Sequence, residues 1–254
     1  MSEKNIFIKF ILKTILTLFI TFLVLFGSGK FWSLKGYNFN DRLFSELQKS
    51  VIDTLYMTFT STLLAFFIGS GLAILLILTR KNGLMPNRTI YSTLDVVVNT
   101  LRSFPFLILI VVLFPFTKFL IGTSIGTTAA IVPLTIGSAP FIARLIENAL
   151  LEVDSGIIEA AKSFGASKAQ IIFRVMFVEA LPSIINAITL TLIVIIGFTA
   201  MAGTVGGGGL GDVAIRFGFQ RFRPDIMTYT VIILIVIVQI IQSAGDTLYK
   251  VTKK

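Results

Sequence analysis

The sequence predicts an all-α, polytopic membrane protein. Of its 254 residues, 55% are hydrophobic and only 14% are charged, against the roughly 25% charged residues usual in soluble domains. The apolar residues also gather into six stretches. Five of these are long enough to cross a bilayer core, which needs about 20 residues. A soluble domain of this length needs a charged shell that the chain cannot supply. Five or six spans take roughly 100 to 140 residues. What remains is enough for loops but not for a separate soluble domain.

The first stretch, 10–27, follows Lys4, Lys9 and Lys13 and ends at Gly27-Ser28-Gly29. Two readings stay open. A positive region, a short apolar run and small residues make a signal peptide. The same pattern makes a retained signal-anchor whose lysines reach back to the interface. Retention is favoured, and both readings put 30–49 outside the cell. The chain therefore divides into an N-terminal anchor and outer segment, 1–46, and a membrane domain, 47–254. The other spans are expected at 51–78, 95–120, 127–146, 181–202 and 226–244.

Orientation follows from Lys and Arg. With the N-terminus inside, thirteen fall on inner segments and eight on outer ones, with Arg102 inside a span. Cytoplasmic loops carry the excess of positive charge, so both ends are expected to be cytoplasmic. The net charge of +9 then reflects membrane topology, and no basic patch outside the apolar pattern suggests nucleic acid. Cys and His are absent. That excludes disulfides, thiolate chemistry, Cys/His zinc sites and a histidine proton relay. There is no G-x-x-x-x-G-K-[ST] loop to cradle phosphate. No catalytic constellation is visible. Asp53, Asp95 and Asp246 fall near predicted span ends, where headgroups and water solvate them.

Arg102 stands in Asn99-Thr100-Leu101-Arg102-Ser103-Phe104-Pro105, inside the third stretch. A mid-span charge costs about 2.5–3.5 kcal/mol on insertion scales. Pro105 can mark the start of the deep segment, leaving Arg102 and Ser103 near the inner surface. The residue is then either an interfacial arginine or a group at the cytoplasmic mouth of a pathway. The fourth stretch is rich in small residues and broken by Pro133 and Pro140. This suits close helix packing, or a kinked helix beside a pathway.

In the fifth stretch Asn186, Thr189, Ile193, Gly197, Ala200 and Thr204 recur at helical spacing. This stripe faces either a substrate path or another helix. Met201 and the Phe-rich segments suit a thioether, or simply lipid. The run Gly206-Gly207-Gly208-Gly209-Leu210-Gly211 follows a span and lacks the lysine of a nucleotide loop. A flexible outer loop, or a gate of closely approaching backbones at Gly208 and Gly209, fits better.

The longest polar connection, 147–178, is cytoplasmic on the charge count. Asp154 or Ser155 can cap a short helix there and Gly165 can end it. Ile157, Ile158, Ala161 and Phe164 make its apolar side. Ser167-Lys168-Ala169-Gln170 is a capping-box pattern opening a second helix.

Within this loop Glu159-Ala160-Ala161-Lys162-Ser163-Phe164-Gly165 resembles the E-A-A-x-x-x-G motif of bacterial ABC importer permeases. The motif's usual ending, I-x-L-P, is here Val175-Met176-Phe177-Val178, followed by Glu179-Ala180-Leu181-Pro182. The segments 131–135, 139–144, 147–152, Arg102-Ser103-Phe104-Pro105-Phe106 and Gly208-Gly209-Leu210-Gly211 resemble the methionine-importer branch. The likeness covers about 47 to the C-terminus.

It implies a type I permease fold with five core spans, plus the N-terminal span. It implies a homodimer in the bacterial inner membrane that takes up L- and D-methionine by alternating access. A pair of ATP-binding subunits would hold the ATP and magnesium, and a substrate-binding lipoprotein would deliver the solute. Glu159, Ala160, Ala161 and Gly165 would form the ATPase-coupling loop. Arg102, Ser103, Pro105, Asn186, Thr189, Gly197, Met201, Gly208 and Gly209 remain candidates for pathway or gate. The chain itself is expected to be no enzyme and to bind no cofactor or metal. A permease for another amino acid or small solute is the alternative. A secondary carrier or a scaffold is a third reading.

Overall fold

The computed structural model describes residues 41–253, together with Gly27 and Gly36 in isolation. The expected N-terminal anchor span lies outside the described residues. Every described regular element is helical.

The helix α1 (Asp41–Thr79) has 39 residues. At 1.5 Å per residue it is roughly 58 Å long, well beyond a ~30 Å hydrocarbon core. It begins ten residues before the apolar run at 51, and these first turns, though largely polar, bury Leu47 and Ser50. Lower down, Thr54, Thr58, Ser61, Thr62 and Ala65 are buried and share one face. Thr58 and Thr62 donate their hydroxyls to the carbonyls of Thr54 and Thr58, each at 2.7 Å, so these groups enter the interior already partnered. This narrow face lies along α5 (Thr127–Leu151), and the two form the central helix pair. Pro133 and Pro140 are tolerated inside α5. It is the most buried of the described spanning helices, so its side chains are held by neighbours on most sides.

The third apolar stretch differs from a single span. It forms α2 (Arg88–Ser103), α3 (Phe106–Val112) and α4 (Phe114–Ile121). The chain turns by 103° between α2 and α3. Pro105 is the cause. Its ring disfavours a helical Phe104, which adopts φ −71°, ψ 129°.

After α5 come α6 (Ser155–Ser163) and a helical run over 168–179 with a π segment at Ile171–Met176. Next are α7 (Leu181–Thr204), the short α8 (Gly209–Val213) with a π segment at Ala214–Phe219, and α9 (Pro224–Thr252). Four described helices are long and apolar enough to cross a membrane, and five if α2 and α3 count as one broken span.

Three apolar clusters hold the bundle. At the inner end, Ala73 and Ile77 of α1 meet Ile146 and Leu150 of α5 and Ile171, Ile172 and Met176 of the loop. In the middle, Phe106 and Leu109 pack with Leu134 and Ile195. Towards the outer end, Leu47, Leu210 and Val213 pack with Ile226.

Candidate functional site

The inner loop is a built structure, not a tether. Asp154 precedes α6, and its Oδ1 accepts the Gly156 N–H at 2.6 Å. Its far end closes as a Schellman turn. Gly165 N–H donates to the Lys162 carbonyl at 2.9 Å, and Ala166 N–H to the Ala161 carbonyl at 3.1 Å. Gly165 has φ +75°, a region costly for any residue with a Cβ. Ser167 and Gln170 then form the expected capping box.

The loop starts later than 147. Glu147 lies within α5, and only 2% of it is exposed. The expected apolar side of α6 also divides. Ile158 and Ala161 pack on the inner cluster. Ile157 and Phe164 are exposed, Phe164 by 90%. The 168–179 run covers only one edge of α6, and Phe164 sits where the chain turns away at Gly165. Glu159 and Ala160 are exposed beside it. The result is a two-turn helix anchored from behind, presenting one carboxylate and one phenyl ring to whatever lies below.

A second feature is a cavity of about 490 Å³. Asn99, Arg102 and Ser103 of the α2 end form its polar mouth, with Phe104 beside them. Phe106 and Leu109 of α3, Gly137 and Phe141 of α5, and Phe198 of α7 form its apolar wall. The rings of Phe106 and Phe198 stack with centroids 4.0 Å apart and planes 9° apart. Arg102 is exposed to this space and makes no ion pair among the described residues. Gly137 lies near the middle of α5, so the cavity reaches deeper than the inner surface anticipated for Arg102. The reason is that α2 runs inward before Pro105 breaks it. Pro105 makes the turn and does not line the cavity.

The stripe on α7 separates into an exposed side and a covered edge. Asn186, Gly197, Met201 and Thr204 lie on one exposed side, with Leu190 between them. Thr189 lies at the edge of this side, where α9 covers it. It is buried, donates its hydroxyl to the Ile185 carbonyl at 2.9 Å, and sits beneath Gly245 of α9. Thr189 is thus a packing residue in this arrangement, apart from the exposed face.

At the outer end the glycine run is packed, not free. Gly206 accepts the Gly126 N–H at 2.8 Å, and Leu210 N–H donates to Thr54 Oγ1 at 2.9 Å. Gly209 has φ +75°, and a Cβ there would lie 2.7 Å from Thr54 Oγ1 and 2.9 Å from Met57 Cε. Beside this contact a polar cavity of about 360 Å³ is lined by Glu46, Lys49 and Asp53 of α1 and by Asp212 and Arg216. Asp212 and Arg216 pair at 2.8 Å. Sequence reasoning missed Glu46, Lys49, Asp212 and Arg216, which come from distant segments. Their only local signal is the Asp-to-Arg spacing of four on one helical run.

Comparison with known proteins agrees with this architecture. Residues 65–252 match the family described as "Binding-protein-dependent transport system inner membrane component". The chain is 56% identical over 197 residues to a Vibrio cholerae protein named "Probable D-methionine transport system permease protein MetI", covering 78% of this chain and 88% of the relative. It is 49% identical over 210 residues to the Bacillus subtilis "Methionine import system permease protein MetP", covering 83% and 95%. Among solved structures, it resembles a chain of the inward-facing MetNI methionine ABC transporter with a TM-score of 0.84 and 43% identity, over 85% of this chain and all of that one. The chain therefore belongs to the family of binding-protein-dependent transport system inner-membrane components, as a multi-span permease of a bacterial ABC importer.

Proposed function

We propose that this chain is the permease of an ATP-driven methionine importer, acting as a homodimer with two ATP-binding subunits and a substrate-binding lipoprotein. The observation that carries the substrate is the similarity to methionine permeases from two distant bacteria over about four-fifths of the chain. The observation that supports the energy source is α6, a short exposed helix anchored at the inner end of the bundle. ATP and magnesium belong to the partner subunits, because this sequence has no phosphate loop of its own.

In this reading Glu159, Ala160 and Phe164 enter a groove on the ATPase, and the Gly165 turn sets the angle between the loop's two helices. Closure of the ATPase pair displaces α6. The displacement passes into α5, because only Glu152, Val153 and Asp154 separate the two helices. Moving such an equilibrium from 1:99 to 99:1 takes about 5.5 kcal/mol of differential binding, which ATP supplies by favouring one ATPase arrangement. Methionine crosses between the exposed α7 faces of the two copies. Arg102 suits its carboxylate, and the Phe106–Phe198 wall suits its thioether side chain. The packed Gly208–Gly209 segment forms the outer closure.

The test is reconstitution in liposomes with the cognate ATPase and binding protein. Labelled L- and D-methionine uptake should require ATP and all three components. Uptake by this chain alone on a proton gradient would refute the reading. The alternative, another amino acid or small solute, is decided by titrating candidate solutes into the cognate binding protein.

A further inference from the structure

A polar cluster lies between α2 and α5, two turns in from the inner end of α5, and shares only Asn99 with the cavity. Arg144 on α5 has a side chain only 17% exposed, and it forks. Nη1 donates to Glu147 Oε2 at 2.7 Å, on the same helix. Nη2 donates across to α2, to Asp95 Oδ1 at 2.5 Å and Asn99 Oδ1 at 3.2 Å. Asn99 closes the ring by donating Nδ2 to Asp95 Oδ2 at 3.1 Å. Arginine suits this place because its planar guanidinium presents several donors in fixed directions.

Three facts say what the cluster holds. First, α2 buries little apolar surface of its own, since Val98 is its one buried residue. Second, α2 carries the polar mouth of the cavity, Asn99, Arg102 and Ser103. Third, α5 leads directly into the coupling loop. Just past its end, Glu152 Oε2 accepts the Ser183 hydroxyl of α7 at 2.9 Å. The two ties join α2, α5 and α7, three of the four helices that wall the cavity, at the end nearest the loop.

We infer that Arg144 is a positioning residue: it locks α2 to α5, so that the cavity's polar mouth moves with the coupling loop. This rests on the importer reading. Without the tie, α5 would still move with the ATPase, but Asn99, Arg102 and Ser103 would lag behind it. ATP would then be spent without a matching passage of substrate.

The test uses the full complex in liposomes and reads ATP hydrolysed per methionine imported. Asp95→Ala is the main variant, because it removes the ion pair to α2, leaving there only the longer Asn99 contact, and keeps the Arg144–Glu147 pair intact. Arg144→Lys is the second, because an ammonium keeps the charge but not the fork. Both should raise ATP per methionine at least threefold with ATPase capture unchanged. Asp95→Glu, which keeps a carboxylate on α2, should return the ratio towards that of the wild type. A tie that only stabilises the fold would lower complex yield and both rates together and leave the ratio fixed. That outcome overturns the inference, as does an unchanged ratio at normal rates. If one variant fails to assemble, the other decides. Wild-type complex that imports no methionine with ATP would sink the importer reading itself, a result distinct from coupled import that the variants leave unaltered.

Discussion

Phe164 and Glu159 do nothing for the isolated fold. Phe164 is 90% exposed and contacts none of the inner apolar cluster. Phe164→Ser should therefore change thermal stability by less than about 0.5 kcal/mol, as surface substitutions usually do. It should still weaken capture of the ATPase at least tenfold in a pull-down from detergent. Glu159→Lys reverses a charge at the same surface and should abolish capture while leaving membrane insertion intact. Equal capture by both variants would remove α6 from the docking role. Gly209 makes the opposite case. It lies against Thr54 and Met57, so Gly209→Val should cost about 1–3 kcal/mol from overpacking, and more from its positive φ. Thermal unfolding followed by tryptophan-independent light scattering would read this loss.

At the scale of elements, caps and breaks decide where helices act. Asp154→Ala removes the side-chain acceptor at the start of α6 and should cost about 1 kcal/mol, seen as earlier proteolysis in the loop. The caps were readable because they are local: Asp154, Gly165 and the Ser167–Gln170 box each work within four residues. The third apolar stretch was not readable as three helices. Hydropathy counts apolar residues and says nothing of direction, whereas the 103° turn is set by Phe104 being held extended before Pro105. The early start of α1 was missed for a related reason. Its first ten residues are polar but include good helix formers such as Leu43, Glu46, Leu47 and Gln48, so the helix continues past its apolar part. Arg144 and Asp95 are 49 residues apart, and nothing local announces their pairing. Thr189 and Asn186 fall three apart in a stripe that looked continuous, yet α9 covers one and not the other.

For the whole molecule, the described helices form a bundle with two polar ends and an aromatic-walled cavity between them. The composition foretold the membrane, and the residues around the E-A-A motif foretold two capped helices joined at Gly165, because both depend on residue type at short range. The cavity depends on α2, α3, α5 and α7 meeting, which only the fold supplies. The account requires that energy enters at α6 and that methionine leaves through the bundle. The most direct test is ATP-dependent uptake of labelled methionine by liposomes holding this chain, its ATPase and its binding protein, compared with the same liposomes carrying Glu159→Lys. The account predicts uptake that stops without ATP and is lost in the variant. Methionine uptake that persists without ATP, or that survives Glu159→Lys undiminished, would contradict it.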